Sequence, residues 1–318
     1  MLARFVGALI AAVLTMTSAN AAWPERPVTL VVPFAPGGIT DTLARITAER
    51  LQSALGQAFV VENQAGAAGI IATEHVARAQ PDGYTLLFST ITQIAIAPFT
   101  SKIAYDPIQD FKPVSIVATS PFVLTTNAEF PPKTLTELMS YVKDRPAQFT
   151  YGTAGAGSLS HISAALFLKR AGLDMTMVPY RGLAPAFDDL LGGSVQLVSA
   201  TPVELRPFLH SDKIRLLATS GSVRSASLPD VPAIAETFPG HEVTTWNGIL
   251  VPAKTPEVVI DTLAREILKA EKDKEFTGRL EQIGVDPAAV TPNQFGARIA
   301  ADVEYWRKVI PEMGLQAQ

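Results

Sequence analysis

The sequence predicts an α/β protein built as two lobes, each a doubly wound parallel sheet flanked by helices. Three observations predict it. Short, β-branched apolar runs of the kind buried in parallel sheets alternate with helical stretches. The alternation occurs twice, in two parts of similar size. Two apolar or extended stretches, Ser115 to Thr126 and Val243 to Val251, are placed to carry the chain from one part to the other and back. Two lobes joined by two crossings form a clamshell, which closes on ligands by hinge motion. The length of 318 residues allows about two domains, and 47% hydrophobic residues are ample for a packed core.

The first 21 residues read as a secretory signal. Arg4 is followed by an apolar run from Phe5 to about Met16, then by small and polar residues ending in Ala19-Asn20-Ala21, an A-x-A cleavage box. The run is shorter than the roughly 20 residues a membrane span requires, so the mature protein is expected in the periplasm.

The first lobe opens with a strand, Val28 to Pro33. A helix follows from Thr40-Asp41 through Leu43, Ile46, Leu51 and Leu55 and stops at Gly56. Phe59 to Val61 is a second strand, Gly66 to about Ala79 a second helix, and Tyr84 to Ser89 a third strand after the Pro81-Asp-Gly83 turn. In the second lobe, strands are expected at Phe149 to Tyr151, Met175 to Pro179, Val195 to Val198 and Ile214 to Thr219. Helices are expected at Leu159 to Ala171 and Pro185 to Leu191. The C-terminal helices, Pro256 to about Ala270, Glu275 to Ile283 and Pro292 to Ile310, return to cover the first lobe. The expected boundaries are therefore 22–122 with 243–318 for the first lobe and 123–242 for the second.

Composition excludes several function classes. With no cysteine, the chain has no disulfide, thiol nucleophile or zinc–thiolate site. Its four histidines, His75, His161, His210 and His241, show no metal-motif spacing. A net charge of −4 argues against nucleic acid as a partner. No cofactor is expected. Gly152 to Gly157 has P-loop spacing, but Ser158 stands where the Lys should be, and neither Gly-rich loop fits the dinucleotide fingerprint.

Two strand-to-helix loops carry the chemistry: Pro33-Phe-Ala-Pro-Gly-Gly-Ile-Thr-Asp41 and Gly152-Thr-Ala-Gly-Ala-Gly-Ser-Leu-Ser-His161. Their glycines let backbone approach a ligand, and the helix that follows each presents unpaired N–H groups to an anion. Thr40 and Ser158 are placed as N-caps. Loops of this kind, small, polar and without Lys or Arg, suit a carboxylate. The competing reading is an exported serine hydrolase using Ser158 and His161. Ser158 lies outside a G-x-S-x-G elbow, and His161 lies at a helix N-terminus that disfavours imidazolium, so it reads as a neutral brace for the loop. His75 is expected on a helix surface, and His210 and His241 in polar loops. Trp246 either walls the cleft or packs between lobes. Arg181 pairs either with a second ligand carboxylate or with a surface partner. Trp306 is expected in the core.

The chain resembles the Bug family of periplasmic solute receptors, the TctC-type component of tripartite tricarboxylate transporters. The resemblance rests on Pro33-Phe-Ala-Pro-Gly-Gly38 with Asp41, Val61-Glu-Asn63 with Gly66-Ala-Ala-Gly69, and Pro81-Asp-Gly-Tyr-Thr-Leu-Leu87. Further along it rests on Tyr105-Asp-Pro107, Asp110-Phe-Lys-Pro-Val114, Gly155-x-Gly-Ser-x-Ser-His161, Val178-Pro-Tyr-Arg-Gly182, Asp189-Leu-Leu-Gly-Gly193, Leu228-Pro-Asp-Val-Pro232 and Trp246-x-Gly248. It implies a Venus-flytrap periplasmic binding protein, type II-like, that is not an enzyme and acts as a monomer. It also implies a small organic acid ligand and a membrane permease, or in some members a sensor kinase, as partner. One ligand carboxylate would be held by backbone of Phe34, Ala35, Pro36 and Gly38 and by two waters, near Asp41. It would also meet the loop holding Thr90, Thr92 and Gln93, and the region of Ala154, Gly157, Ser158 and His161. Just after the strand holding Val195 to Val198 the family often has an Asp, whereas this chain reads Ser199-Ala200-Thr201-Pro202 with no acid, which argues against an amino-acid ligand. With Phe34, Ile91 and Trp246, Ala200 leans the expectation toward an aliphatic or aromatic mono- or dicarboxylate.

Overall fold

The computed structural model describes residues 23–208 and 212–314. The expected signal segment and His210 lie outside them. Two mixed sheets form the frame. In the first, β1 (Val28–Val32) lies between β2 (Phe59–Asn63) and β3 (Thr85–Thr90), all parallel. Strand β10 (Thr244–Pro252) runs antiparallel between β3 and β4 (Phe111–Pro121), and the two-residue β11 (Asp286–Pro287) closes that edge. In the second sheet, β6 (Thr150–Thr153) lies parallel to β7 (Thr176–Pro179) and β8 (Leu197–Ala200). There β5 (Val123–Asn127) runs antiparallel to β8 and to β9 (Ile214–Thr219).

The unbroken apolar runs are explained by helices on both faces. Along β1, Leu30 and Val32 enter a core with α1 (Ile39–Leu55), α9 (Glu257–Ala270) and α10 (Lys274–Gln282). Between them, Val31 points the other way, into a core with α2 (Ile70–Ala77) and α11 (Pro292–Glu312). A strand with water on one face would have had to alternate. The second sheet is covered likewise. Leu124 and Leu197 face α4 (Leu135–Lys143) and α5 (Leu159–Ala171), while Val123 and Val198 face α6 (Leu183–Leu191) and the single turn α7 (Pro202–Leu205). The remaining single turns are α3 (Ala97–Thr100), which follows a π-helical turn at Thr92–Ile96, and α8 (Ile234–Thr237).

The helix over 135–143 has no counterpart among the sequence expectations. The stretches expected to cross, Ser115 to Thr126 and Val243 to Val251, lie in β4–β5 and β10, and these run antiparallel, so the sheets are mixed rather than wholly parallel as expected. Trp246 and His241 sit beside them. Trp246 is fully buried, its ring edge-on to Phe295 and its indole N–H donating to Asp302 at 2.8 Å. It therefore packs rather than walls an open surface. His241 lies in the loop before β10, as expected, but its side chain is fully buried. Burial, with the Arg170 charge behind it, pushes its imidazole down to about 4.

The two crossings meet at Ser220, which is fully buried. Its N–H donates to Phe122 O at 2.7 Å and its carbonyl accepts from Val243 N at 2.8 Å. Its hydroxyl accepts from Phe122 N at 2.8 Å and donates to Val243 O at 2.5 Å. One side chain thus bonds the outgoing strand on one side and the returning strand on the other. Replacing Ser220 with Ala would leave a buried N–H and a buried carbonyl short of a partner, at about 1–3 kcal/mol for each group. Urea unfolding of S220A should show a loss of about 2–4 kcal/mol; a change below about 0.5 kcal/mol, the size of an ordinary surface substitution, would contradict this role.

Candidate functional site

In each sheet the three parallel strands end at one edge, so their following loops gather there. This is where open α/β sheets bind ligands. In the first lobe the loops are 33–38, 64–69 and 90–93; in the second they are 154–158, 180–182 and Thr201. The two sets meet across the lobes. Ile162 of α5 is part of the core cluster that holds Ile91 and Trp246, and Leu159, the first residue of α5, packs against that cluster.

The first loop is fixed by a buried carboxylate. Asp41 accepts from Gly37 N at 2.9 Å, from Asn63 Nδ2 at 2.9 Å and from Arg45 at 3.0–3.1 Å. Asn63 also donates to Phe34 O at 3.0 Å. Burial would raise the Asp41 carboxyl, but the hydrogen bonds from Arg45, Gly37 and Asn63 outweigh it and hold it below its ordinary value. Asp41 thus spends its acceptors on the chain itself and shapes the loop. Thr40 is not the cap that was expected. Helix α1 begins two residues earlier than a Thr40 cap implies, with Gly38 as N-cap and no side-chain cap bond, while the Asp41 carboxylate reaches back past the cap to Gly37. The first turn of α1 therefore keeps its own N–H groups for something else, with the positive end of a 17-residue helix behind them. Ala35, Pro36, Gly37 and Gly38 are exposed and Phe34 is half-buried.

The other first-lobe loops lock onto this one. Gly69 has φ +90°, and a Cβ there would lie 2.7 Å from the Gln93 amide and 2.8 Å from Pro33, so only glycine fits. Gln93, fully buried, donates to Ala68 O at 2.8 Å and accepts from Thr90 N and Oγ1 at 3.2 and 2.9 Å. Thr92 N in turn donates to Thr90 Oγ1 at 3.3 Å. The Gln93 side chain thus supports the loop from below rather than facing an open surface. Sequence reasoning passed over Asn63 and the 66–69 turn as site elements. The signal for both was their position directly after a strand.

In the second lobe Ser158 is the N-cap of α5, accepting from His161 N at 3.2 Å. Its own hydroxyl donates to Gly155 O at 2.7 Å. His161 Nδ1 accepts from Gly157 N at 3.1 Å, and burial lowers the imidazole pKa, so the ring is a neutral brace. A serine nucleophile needs its proton aimed at the imidazole. Here the serine proton goes to a carbonyl and the imidazole lone pair to a backbone N–H. Ala154 is half-buried, and its N–H is tied to Ser160 Oγ at 2.9 Å. Ala200 is fully buried, so its methyl belongs to the core. Tyr180 donates to Asp189 at 2.5 Å, and Arg181 beside it is exposed. The structure thus gathers 34–38, 63–69 and 90–93 in one lobe and 154–161 with 180–182 in the other, and leaves Trp246 and Ala200 in the cores. Among the described residues, no group of three or more His, Asp or Glu could hold a metal ion.

Comparison with known proteins agrees with this geometry. Residues 43–315 match the tripartite tricarboxylate transporter family receptor. The chain belongs to that family. It is 36% identical over 295 residues to the protein BugT of Bordetella pertussis, covering 92% of this chain and 90% of BugT. Among solved structures it resembles Rpa4515 of R. palustris, determined with adipate, at 35% identity and TM-score 0.79, covering 93% of this chain and all of that one. MatC of Rhodopseudomonas palustris, determined with bound malate, aligns at 33% identity and TM-score 0.72, over 91% of this chain and 100% of that one. The chain is thus a solute-binding receptor of the Bug type and not an enzyme.

The Asp41 network gives a direct test. Removing a buried acceptor of three donors should cost about 2–4 kcal/mol in Asp41→Ala. Asp41→Asn, which keeps an acceptor for Gly37, should cost less. A carboxylate whose folded pKa is lowered contributes stability above its unfolded value, and that stability is lost as pH falls through the folded value. Urea unfolding from pH 7 down to pH 3 should therefore show a steeper acid loss for the parent than for D41N; parallel curves would contradict the assignment.

Proposed function

We propose that the chain is a periplasmic receptor, exported by the signal at 1–21, that captures a small aliphatic or aromatic mono- or dicarboxylate by lobe closure. It delivers the acid to the membrane permease of a tripartite tricarboxylate-type transporter. Acting as a monomer, it closes lobe 1 (22–122 and 243–318) onto lobe 2 (123–242). The observation that carries this reading is the uncapped start of α1 after an exposed loop whose residues bear no charge. Backbone N–H groups at a helix N-terminus bind carboxylate without a resident cation. One carboxylate sits on backbone of Phe34, Ala35, Pro36 and Gly38. The segments holding Thr90, Thr92, Gln93, Ala154, Gly157, Ser158 and His161 supply the rest of the shell, directly or through water. Two family neighbours were determined with carboxylates, adipate and malate, which supports the class.

A thermal-shift screen of the mature chain tests it, with C4 to C6 dicarboxylates, citrate, benzoate- and pyridine-type acids and amino acids, each beside its amide. At a ligand concentration about 100 times Kd, binding adds about 2.7 kcal/mol. That corresponds to a rise of about 5–10 °C for chains of this size class. The expected result is a shift with one or a few acids and none with their full amides. A response to amides equal to that of the acids would overturn the carboxylate reading.

A further inference from the structure

We propose that Asp286 and Ser225 form a clasp that holds the lobes open, so that a contact remote from the ligand sets how tightly the ligand binds. The inference rests on the reading that the lobes close on a ligand. In the first sheet the strands run in the order β11, β4, β10, β3, β1, β2. The candidate loops follow β1, β2 and β3, on one side of the crossing strands β4 and β10, and β11 lies on the other. In the second sheet the order is β7, β6, β8, β5, β9. The candidate loops there follow β6, β7 and β8, on one side of the crossing strand β5, and β9 lies on the other. Thr219 of β9 pairs with Val123 on its inner side and bridges to Ala233 on its outer side. The segment between Thr219 and Ala233 therefore returns along the outside of that sheet.

This segment bonds β11. The Ser225 hydroxyl donates to the Asp286 carboxylate, whose oxygens lie at 2.7 and 3.0 Å, and Ser227 N donates to it at 3.1 Å. With the Ser225 proton spent there, the Ser227 hydroxyl, 2.8 Å away, donates to Ser225 Oγ. Ser225 is buried. Each end is anchored within its own lobe. Arg224 is held by Glu236 at 2.8 and 3.0 Å, and Leu228 N donates to Ser225 O at 3.1 Å. Asp286 sits on a strand paired with β4, and Ala288 N donates to Val117 O at 3.2 Å. The clasp thus joins the outer ends of the two sheets, and the crossings lie between it and the candidate loops. About a pivot at the crossings, motion that brings the loops together draws the outer ends apart. The clasp is made when the lobes are open and broken when they close. A ligand that binds the closed form has its affinity reduced by the fraction of molecules that are closed. Weakening the clasp raises that fraction and tightens binding, although nothing at the strand-end loops has changed.

Two readouts test this. The first is calorimetric titration of the mature chain with malate, succinate and adipate. Asp286→Ala should bind whichever of these the parent binds about 3–10-fold more tightly. Ser225→Ala, which leaves the Ser227 N–H in place, should gain less, and the double variant no more than Asp286→Ala alone. The second needs no ligand. The chain has no cysteine, so spin labels go only where one is introduced, at Glu62→Cys on β2 and Thr176→Cys on β7. Both positions are exposed and lie on the outermost strands of the loop side. The distance between the labels should shorten in Asp286→Ala. Should that variant fail to fold, Ser225→Ala carries the same two readouts. Unchanged affinity with an unchanged label distance would overturn the proposal, and so would weaker binding with a longer one. If none of the three acids binds the parent, the carboxylate reading falls, and the label distances still decide the clasp.

Discussion

Two strand crossings join the lobes, and the four hydrogen bonds of Ser220 hold them side by side. Everything that makes a cleft depends on that pairing. The crossings enter the sheets as antiparallel strands, so closing motion has to twist a hydrogen-bonded ribbon rather than bend a loose tether. Around the ribbon the lobes already touch. Ser225 and the N–H of Ser227 bond Asp286 on the far edge of the first sheet, at 2.7–3.1 Å. Lys169 of α5 reaches Glu312 of α11 at 2.9 Å. The buried Trp246 stands under the same region, with Ile162 of the second lobe in its cluster.

The electrostatics of those loops follow from how little charge they hold. Asp41 is neutralised by Arg45 and consumed by the backbone it shapes. The histidine beside the second loop is held neutral. What remains is directional: the N–H groups at the start of α1. Such groups are arranged before the ligand arrives, so little ordering entropy is lost on binding, and each becomes stronger as closure removes water.

Much of the fold was readable in the residues because burial on both faces leaves a plain mark. The runs around Leu30, Leu86 and Val198 are largely apolar without alternation, and a glycine or proline stands near one end of each, Pro33, Gly83 and Pro202. The antiparallel strands were harder. Ser115 to Thr126 and Val243 to Val251 read as crossings without a strand direction, since nothing local distinguishes a paired crossing strand from an extended linker; their pairing is decided by partners more than a hundred residues away. Helix 135–143 is short and preceded by prolines, and its apolar face is legible only once the second sheet is known. At the site, the glycine loops and the capping role of Ser158 were legible from spacing. The start of α1 was not: Thr40 is a better cap by residue type than Gly38, but the Gly37 N–H donates to an Asp41 carboxylate that Asn63 holds from the neighbouring strand. Trp246 illustrates the same limit, because the acceptor that draws its indole inward, Asp302, lies fifty-six residues downstream.

The central claim is that an acid is held between the lobes, with one carboxylate on the 34–38 backbone. A crystal structure of the mature chain grown with the acid that stabilises it most tests this directly. The account predicts closed lobes, with one carboxylate oxygen within about 3 Å of the N–H groups around Gly38, directly or through one water. An acid found outside the cleft, or inside it with both carboxylates away from this loop, would contradict the account.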